Sequence, residues 1–262
     1  MTESLQVLDN TWQVTPPDIS HIITEDEAPV DNIFSERQMS LLTDALYASW
    51  QEPGAESTFV ALANVGLFYA IHQDPYVPDV LVSLAVTLPP DVWEKRHRSY
   101  FIWEYGKPPD IVVEIVSNRV GGELSRKRSG YARLGITYYL VYDPEQQLSN
   151  QSLYVFELRG GAYVELDQPW LPAVQLGVTL WQGLYKGLTA EWLRWCDIDG
   201  TLLSTGDEAA QTARSQAAEA QARAEQERER AEQEHERAEQ ERERAERLAA
   251  KLRALGIDPD TA

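Results

Sequence analysis

Cysteine is nearly missing from this chain of 262 residues: the single one, Cys196, cannot form an intrachain disulfide. Histidine is scarce as well. His21, His72, His97 and His235 are scattered without ligand spacing, which together with the lack of a cysteine pair excludes a zinc site of the usual kind. Long apolar runs are absent too, since "VVEIV" and "GLFYAI" fall far short of the roughly 18 residues that a membrane span needs. The opening "MTESLQVLDNTW" has neither a basic nor an apolar leader region. A soluble, cytoplasmic protein with no membrane partner is therefore expected. No phosphate-binding GxxxxGK[ST], no GxGxxG after a strand and no GxSxG occurs, which argues against nucleotide-binding and serine-hydrolase chemistry of those types.

Positive charge is the last shortage. Against 42 acidic residues stand 23 Lys and Arg, for a formal net charge of -19, a poor balance for a general nucleic-acid binder. The cations are unevenly placed, however. Residues 1–206 carry 13 of them, and nine of these (Lys95, Arg96, Arg98, Lys107, Arg119, Arg126, Lys127, Arg128, Arg133) lie between residues 94 and 133 beside five acids. Charge focused in this way suits an anionic ligand held at one place, although an unevenly charged solvated surface gives the same count. In "VWEKRHRSYFIWEYGKPP", Lys95, Arg96 and Arg98 interleave with Trp93, Tyr100 and Trp103, a mixture that can grip a strand by phosphate contact and stacking. The other tryptophans read as packing aromatics.

An apolar share of 43% supports one main globular domain plus a tail. Residues 1–30 are polar, acidic and proline-bearing and read as an irregular arm. A domain is expected over 31–200. Ser35 and Gln38 have capping-box spacing ahead of Met39, Leu42 and Leu46, so a helix should begin at Ser35 and stop at Pro53 and Gly54. The β-rich runs "TFVALANV", "GLFYAI", "VPDVLVSLAV" and "IVVEIVS" predict strands of one sheet. A helix over about 123–134, closed by Gly135, leads into "ITYYLVYDP" as a buried strand. "SLYVFEL", "AYVEL" and "GVTLWQGLY" predict a late antiparallel extension, and "LTAEWLRWC" a short helix packing Trp192 and Trp195. The class is α/β, with a mixed sheet and few helices.

Residues 206–256 differ in kind: Ala, Glu, Gln and Arg repeat with a period of seven. Alanine recurs at 217, 224, 231, 238 and 245 and Leu252 continues the series, but the second apolar position of each heptad is charged until Leu248 and Leu255. Arg228 with Glu232, Arg230 with Glu234, Arg237 with Glu241 and Glu243 with Arg247 have the spacing of helical ion pairs, about 0.2–0.5 kcal/mol each. A charged helical spacer is expected, with a coiled coil through the Leu248 to Leu255 end as the alternative.

In "IVVEIVSNRV" a carboxylate, Glu114, stands among residues that want burial, and desolvating it alone would be costly. Alternation puts Val112, Glu114 and Val116 on one face, so Glu114 meets either a structural partner or a metal ion there. Asp79 opens its own apolar strand in "PYVPDVLVSL", as Asp110 does in "PPDIVV". Two neighbouring carboxylates repel, and a hard divalent cation such as Mg²⁺ removes that repulsion while activating water. "GGELSRKRSGYARLG" places Lys127 and Tyr131 four apart on one helical face, flanked by Arg126 and Arg128, where a cation would stabilise charge developing on a phosphate. An exposed basic helix face is the bland alternative.

Together, "PDV", "VVEIVS", a Gly-rich turn into a Lys-bearing helix and "ITYYLVYDP" resemble the restriction-endonuclease-like family called Uma-two, a branch of the PD-(D/E)xK nucleases, over about residues 30–165. The resemblance implies a mixed β-sheet core flanked by helices, with Asp79 and Glu114 as Mg²⁺ ligands. The lysine that usually follows two residues after the Glu is replaced by Val116. "KRSGYARLGITYYLVYDP" instead matches the branch's "KxxxYARxGxxxYxxxDP", which makes Lys127 the catalytic cation, with Tyr131 beside it. Asn118 stands where the family often has Pro. Nucleases of this class also use a Glu from the first helix, here Glu36. The expected activity is Mg²⁺-dependent endonucleolytic hydrolysis of DNA, with Mn²⁺ as a substitute and Lys95, Arg96, Arg98, Arg126 and Arg128 as nucleic-acid contacts. Two other readings stand beside it: an inactive nuclease fold serving as an assembly module through its C-terminal helix, by self-association as a homodimer or with a protein partner, and an enzyme acting on RNA or small phosphoesters.

Overall fold

The computed structural model describes residues 18–19, 32–51, 58–117 and 122–254. The expected N-terminal arm, apart from Asp18 and Ile19, lies outside them, as do the Pro53 and Gly54 helix stop, Asn118, Arg119 and Leu255. In chain order the elements are α1 (Ile33–Ser49), β1 (Phe59–Ala63), β2 (Leu67–Phe68), β3 (Val80–Leu84), a 3₁₀ turn (Lys95–His97), β4 (Tyr100–Phe101), α2 (Ile102–Tyr105) and β5 (Ile111–Ile115). A π-turn (Glu123–Lys127) runs into α3 (Arg128–Leu134), followed by β6 (Tyr138–Tyr142), β7 (Leu153–Arg159), β8 (Ala162–Glu165), β9 (Trp170–Leu171), β10 (Leu176–Tyr185), β11 (Leu188–Cys196) and α4 (Gly206–Ala254).

Six strands form the main sheet in the order β1-β3-β5-β6-β7-β8. β5 and β6 are parallel, joined through α3, and the other pairs are antiparallel. Both central strands are buried on both faces, which is why "IVVEI" and "YYLVY" read as continuous runs. Side-chain alternation divides the core in two. Ile111, Val113 and Ile115 join Leu42 and Leu46 of α1 and Leu176, Val178, Leu193 and Trp195 of a second sheet, ordered β11-β10-β9. Val112 and Val116 face the other way, among Leu81, Tyr100, Tyr131, Tyr139, Tyr154 and Tyr163.

Three expectations are corrected. The run "GLFYAI" does not join the other three in one sheet: its β2 pairs in parallel with β4 in a separate two-stranded sheet. α1 begins at Ile33, not Ser35: Asn32 is the cap, and its side-chain oxygen accepts the Ser35 N–H at 3.0 Å. Gln38, expected in a capping box, turns inward and exchanges hydrogen bonds with the backbone of Leu193, donating to its carbonyl at 2.8 Å and accepting its N–H at 2.9 Å. "LTAEWLRWC" is not a helix but β11, paired with β10 from Gly177↔Cys196 to Tyr185↔Leu188. The reason lies in the turn. Lys186 and Gly187 both have positive φ (41° and 83°), the geometry of a two-residue hairpin, and the ladder then captures a segment whose apolar spacing fits either period. Trp192 and Trp195 are buried as expected, but from a strand: Trp192 stacks on Phe34 at 5.0 Å and the Trp195 indole donates to the Leu42 carbonyl.

A division between Gly206 and Asp207 separates the described residues into two units. α4, of which all but Gly206 belongs to the second unit, runs for 49 residues, roughly 70 Å at the helical rise, with none of its residues buried. Of the ion pairs expected from spacing, Glu243–Arg247 closes at 3.1 Å; Glu219–Arg223 and Arg242–Glu246 join it. Among the described residues no helix is long and apolar enough to cross a membrane.

Candidate active site

The site is built where β3 and β5 pair. Val80 lies opposite Val113, so Asp79, one residue before β3, continues the register toward Glu114, and its Oδ2 accepts the Ile115 N–H at 2.6 Å. Its lookalike Asp110 takes a different part: it binds Lys107 at 2.5 Å and accepts the Leu84 N–H at 2.8 Å, pinning the start of β5. Glu114 points onto the tyrosine-rich face and is 2% exposed. Both of its oxygens are engaged: Oε2 accepts from the Lys127 ammonium at 2.7 Å and Oε1 from the Tyr131 hydroxyl at 2.6 Å.

Lys127 and Tyr131 reach Glu114 because the π-turn and α3 present one column of side chains, residues 123, 127 and 131. The helix comes close to its neighbours at Gly130, where a Cβ would sit 2.0 Å from the Tyr76 hydroxyl oxygen; Tyr76 in turn packs on Tyr131 at 4.8 Å. Gly135, with φ 79°, ends α3. The column contains a residue that sequence reasoning missed. Glu123 is buried, its Oε1 lies 3.5 Å from the Lys127 nitrogen, and its Oε2 has no hydrogen-bond partner among the described residues. The available signal was spacing, four residues before Lys127 as Tyr131 is four after.

Burial pushes the Glu114 carboxyl up; Lys127's charge and the hydrogen bonds from Lys127 and Tyr131 oppose this, while Glu123 adds to it. Burial pulls the Lys127 ammonium down, but Glu114, Glu123 and Asp79 outweigh it and hold the group above the ordinary lysine range. Burial and the Glu114 charge keep the Tyr131 phenol neutral.

Three carboxylates thus act on one ammonium, and a buried carboxylate oxygen finds no hydrogen bond among the described residues. That donor set, all oxygen and short of positive charge, fits a hard divalent cation. Among the described residues no three Asp, Glu, His or Cys side chains form a closed metal cage.

The structure does not bring the other sequence-predicted residues here. Glu36 sits exposed on the first turn of α1, paired with Arg37 at 2.9 Å, and α1 packs on the opposite face of the sheet from Glu114. Lys95, Arg96 and Arg98 lie at the 3₁₀ turn, where Arg96 pairs with Glu94 at 2.7 Å and Arg98 donates to the Trp93 carbonyl. Of the aromatics interleaved with them only Trp93 is a surface group, at 79% exposure; Tyr100 is buried and stacked on Tyr105, and Trp103 packs on Phe101. Arg126 is exposed beside the site, and Arg128 is half-buried on the outer side of α3.

A mixed sheet whose antiparallel strands carry an Asp and a Glu, followed by a helix and a parallel return strand, has the restriction-endonuclease-like fold. The chain belongs to the Uma2 family: the family model described as "Putative restriction endonuclease" matches residues 21–189, more than half of the chain. No curated protein matches it.

Proposed function

We propose that the chain is an endonuclease that hydrolyses phosphodiester bonds of DNA with the help of Mg²⁺, for which Mn²⁺ can substitute. The observation that carries this reading is the gathering of Asp79 and Glu114, from adjacent strands, around the Lys127 ammonium in a largely buried, carboxylate-rich cluster. Asp79 and Glu114 would hold the cation, and Glu123 supplies a further carboxylate close by. A divalent cation bound there would supply a water of lowered pKa and a Lewis acid for the phosphate oxygen. Lys127 has a narrower role than that of a base. As the ammonium that donates to Glu114, it serves as a positive charge for the developing phosphorane oxygens. Tyr131 fixes the Glu114 rotamer through its hydroxyl and, staying neutral, adds no negative charge.

The test is nicking of supercoiled plasmid in Mg²⁺ or Mn²⁺ by the native chain and by Asp79→Ala, Glu114→Ala and Lys127→Ala. Loss in all three with the fold retained is the expected outcome; equal nicking by native chain and variants would reject the assignment. One observation favours a second reading, a non-catalytic nuclease fold that works as a binding module: both Glu114 oxygens already carry hydrogen bonds. Under that reading the native chain leaves the plasmid intact in either metal.

A further inference from the structure

A chain that cuts a phosphodiester needs a surface to hold the strand, and the proposal here rests on that phosphodiester reading. Two basic segments were candidates, and the structure separates them. The Lys95 to Arg98 segment follows directly on Asp91 and Glu94, and Arg96 is paired to the latter. On the outward side of α3 the situation differs. A groove of about 380 Å³ runs between this helix and the β7–β8 hairpin, lined by Ser125, Arg128, Ser129 and Arg133 on one wall and by Gly161 and Ala162 on the other, and no acidic residue lines it. On a chain of net charge -19, a groove whose described lining holds two guanidinium groups and no carboxylate is a place of locally positive charge for an anion.

Arg128 is held in advance of any ligand. Its guanidinium lies 4.4 Å over the Phe156 ring, and one N–H donates to the Tyr163 carbonyl at 2.9 Å, which fixes the plane of a group with five donors and a geometry that matches phosphate. Arg133 stands exposed further along the same helix. The facing wall is low: Gly161 has φ 85°, and a Cβ there would meet nothing within 4 Å, so a sugar-phosphate chain can approach the hairpin backbone closely. The groove also lies at a useful distance. Across the strands, in the order β5-β6-β7-β8, its hairpin wall is three strand spacings, about 14 Å, from β5, and its other wall begins at Arg128, the residue after Lys127, so the groove starts a few nucleotides or fewer from the site at ~3.4 Å of rise each.

We propose that this groove binds the phosphate backbone of the DNA strand a few nucleotides from the bond to be cut, with Arg128 and Arg133 as the phosphate ligands and Ser125 and Ser129 as supporting hydroxyl donors. The experiment is fluorescence anisotropy of a labelled duplex of mixed sequence with the full chain in EDTA, titrated over a range of NaCl concentrations. Arg128 also braces Phe156 and the β8 backbone, so the informative changes are at exposed positions. Arg133→Ala should weaken binding about tenfold at low salt and make the slope of log K against log[NaCl] shallower by about 1. Ser129→Glu, which puts a carboxylate into the groove at a helical position, should weaken it further, and Arg96→Ala should bind as the native chain does. Native affinity and slope in both groove variants, with thermal melting unchanged, would overturn the proposal, as would a native chain that does not bind the duplex at low salt. Because the readout needs no cleavage, the two readings fail separately. Weakened binding by Arg133→Ala beside a plasmid that is never nicked removes the nuclease assignment and leaves the groove.

Discussion

The two faces of the main sheet are made by the same strands and serve different ends. Along β5, Ile111, Val113 and Ile115 enter a closed apolar layer under α1 and the second sheet, whereas Val112, Glu114 and Val116 enter a layer rich in tyrosine. Tyrosine differs from leucine in having a polar tip that must be bonded when buried. On this face the hydroxyls of Tyr131, Tyr139 and Tyr163 go to Glu114, the Glu123 carbonyl and the Ile136 carbonyl, and Tyr154 bonds Ser149. A layer already organised around hydrogen bonds can admit a carboxylate and an ammonium. The aliphatic layer could not do so without leaving them unpaired.

The contrast is broken most severely by exchanging what each face tolerates. Glu114→Gln should cut plasmid nicking by a hundredfold or more, about 3 kcal/mol in transition-state stabilisation, while urea unfolding shows the fold retained. Leu42→Ala, on the aliphatic side, should do the reverse, costing about 3 kcal/mol of stability with the rate per folded molecule unchanged. Gly130→Ala should cost about 2 kcal/mol in the same unfolding assay, because the added methyl displaces Tyr76 and loosens Tyr131 behind Glu114. Mg²⁺ at ten times its dissociation constant should stabilise the native chain by about 1.4 kcal/mol in thermal melting and leave Asp79→Asn unmoved.

An effect of similar size to that of Mg²⁺ is alkaline. Burial pushes the Tyr100 phenol up to about 12, against a lowering by its Ser83 hydrogen bond. With the folded pKa above the unfolded value of about 10, the stability from the neutral phenol is whole below pH 10 and is lost as pH rises toward 12. Tyr100→Phe should therefore lose less stability than the native chain between pH 10 and 12, by on the order of 1–2 kcal/mol.

Much of the site could be read from the sequence because its chemistry conflicts with its surroundings. Glu114 stands out in an apolar strand, Asp79 opens another, and Lys127 and Tyr131 share a helical spacing, so each carries a local sign of its place. Glu123 carries only its spacing from Lys127, and that sign is ambiguous: an acid at the start of a helix is what the helix dipole favours anyway, and only the tertiary fold shows it buried against Lys127. Asp79 and Asp110 look alike in sequence, and the difference between them is which neighbour each strand brings. In β11 the apolar residues suit a helix or a doubly buried strand, and the decision came from the Lys186 and Gly187 backbone. The basic residues at 95–98 and 126–133 formed one cluster along the chain and divide in space, since charge counted by position does not show which acids lie beside it.

The Gln38 amide has a consequence for assembly. It grips both the donor and the acceptor of Leu193, and in a β-ladder those two groups reappear toward the same side only every second residue. If the β10–β11 hairpin slid by one position against α1, both ends of that amide would lose their mates inside a dry interface. A single uncharged side chain on the first helix thus gauges the alignment of strands joined to it across more than 150 residues of chain.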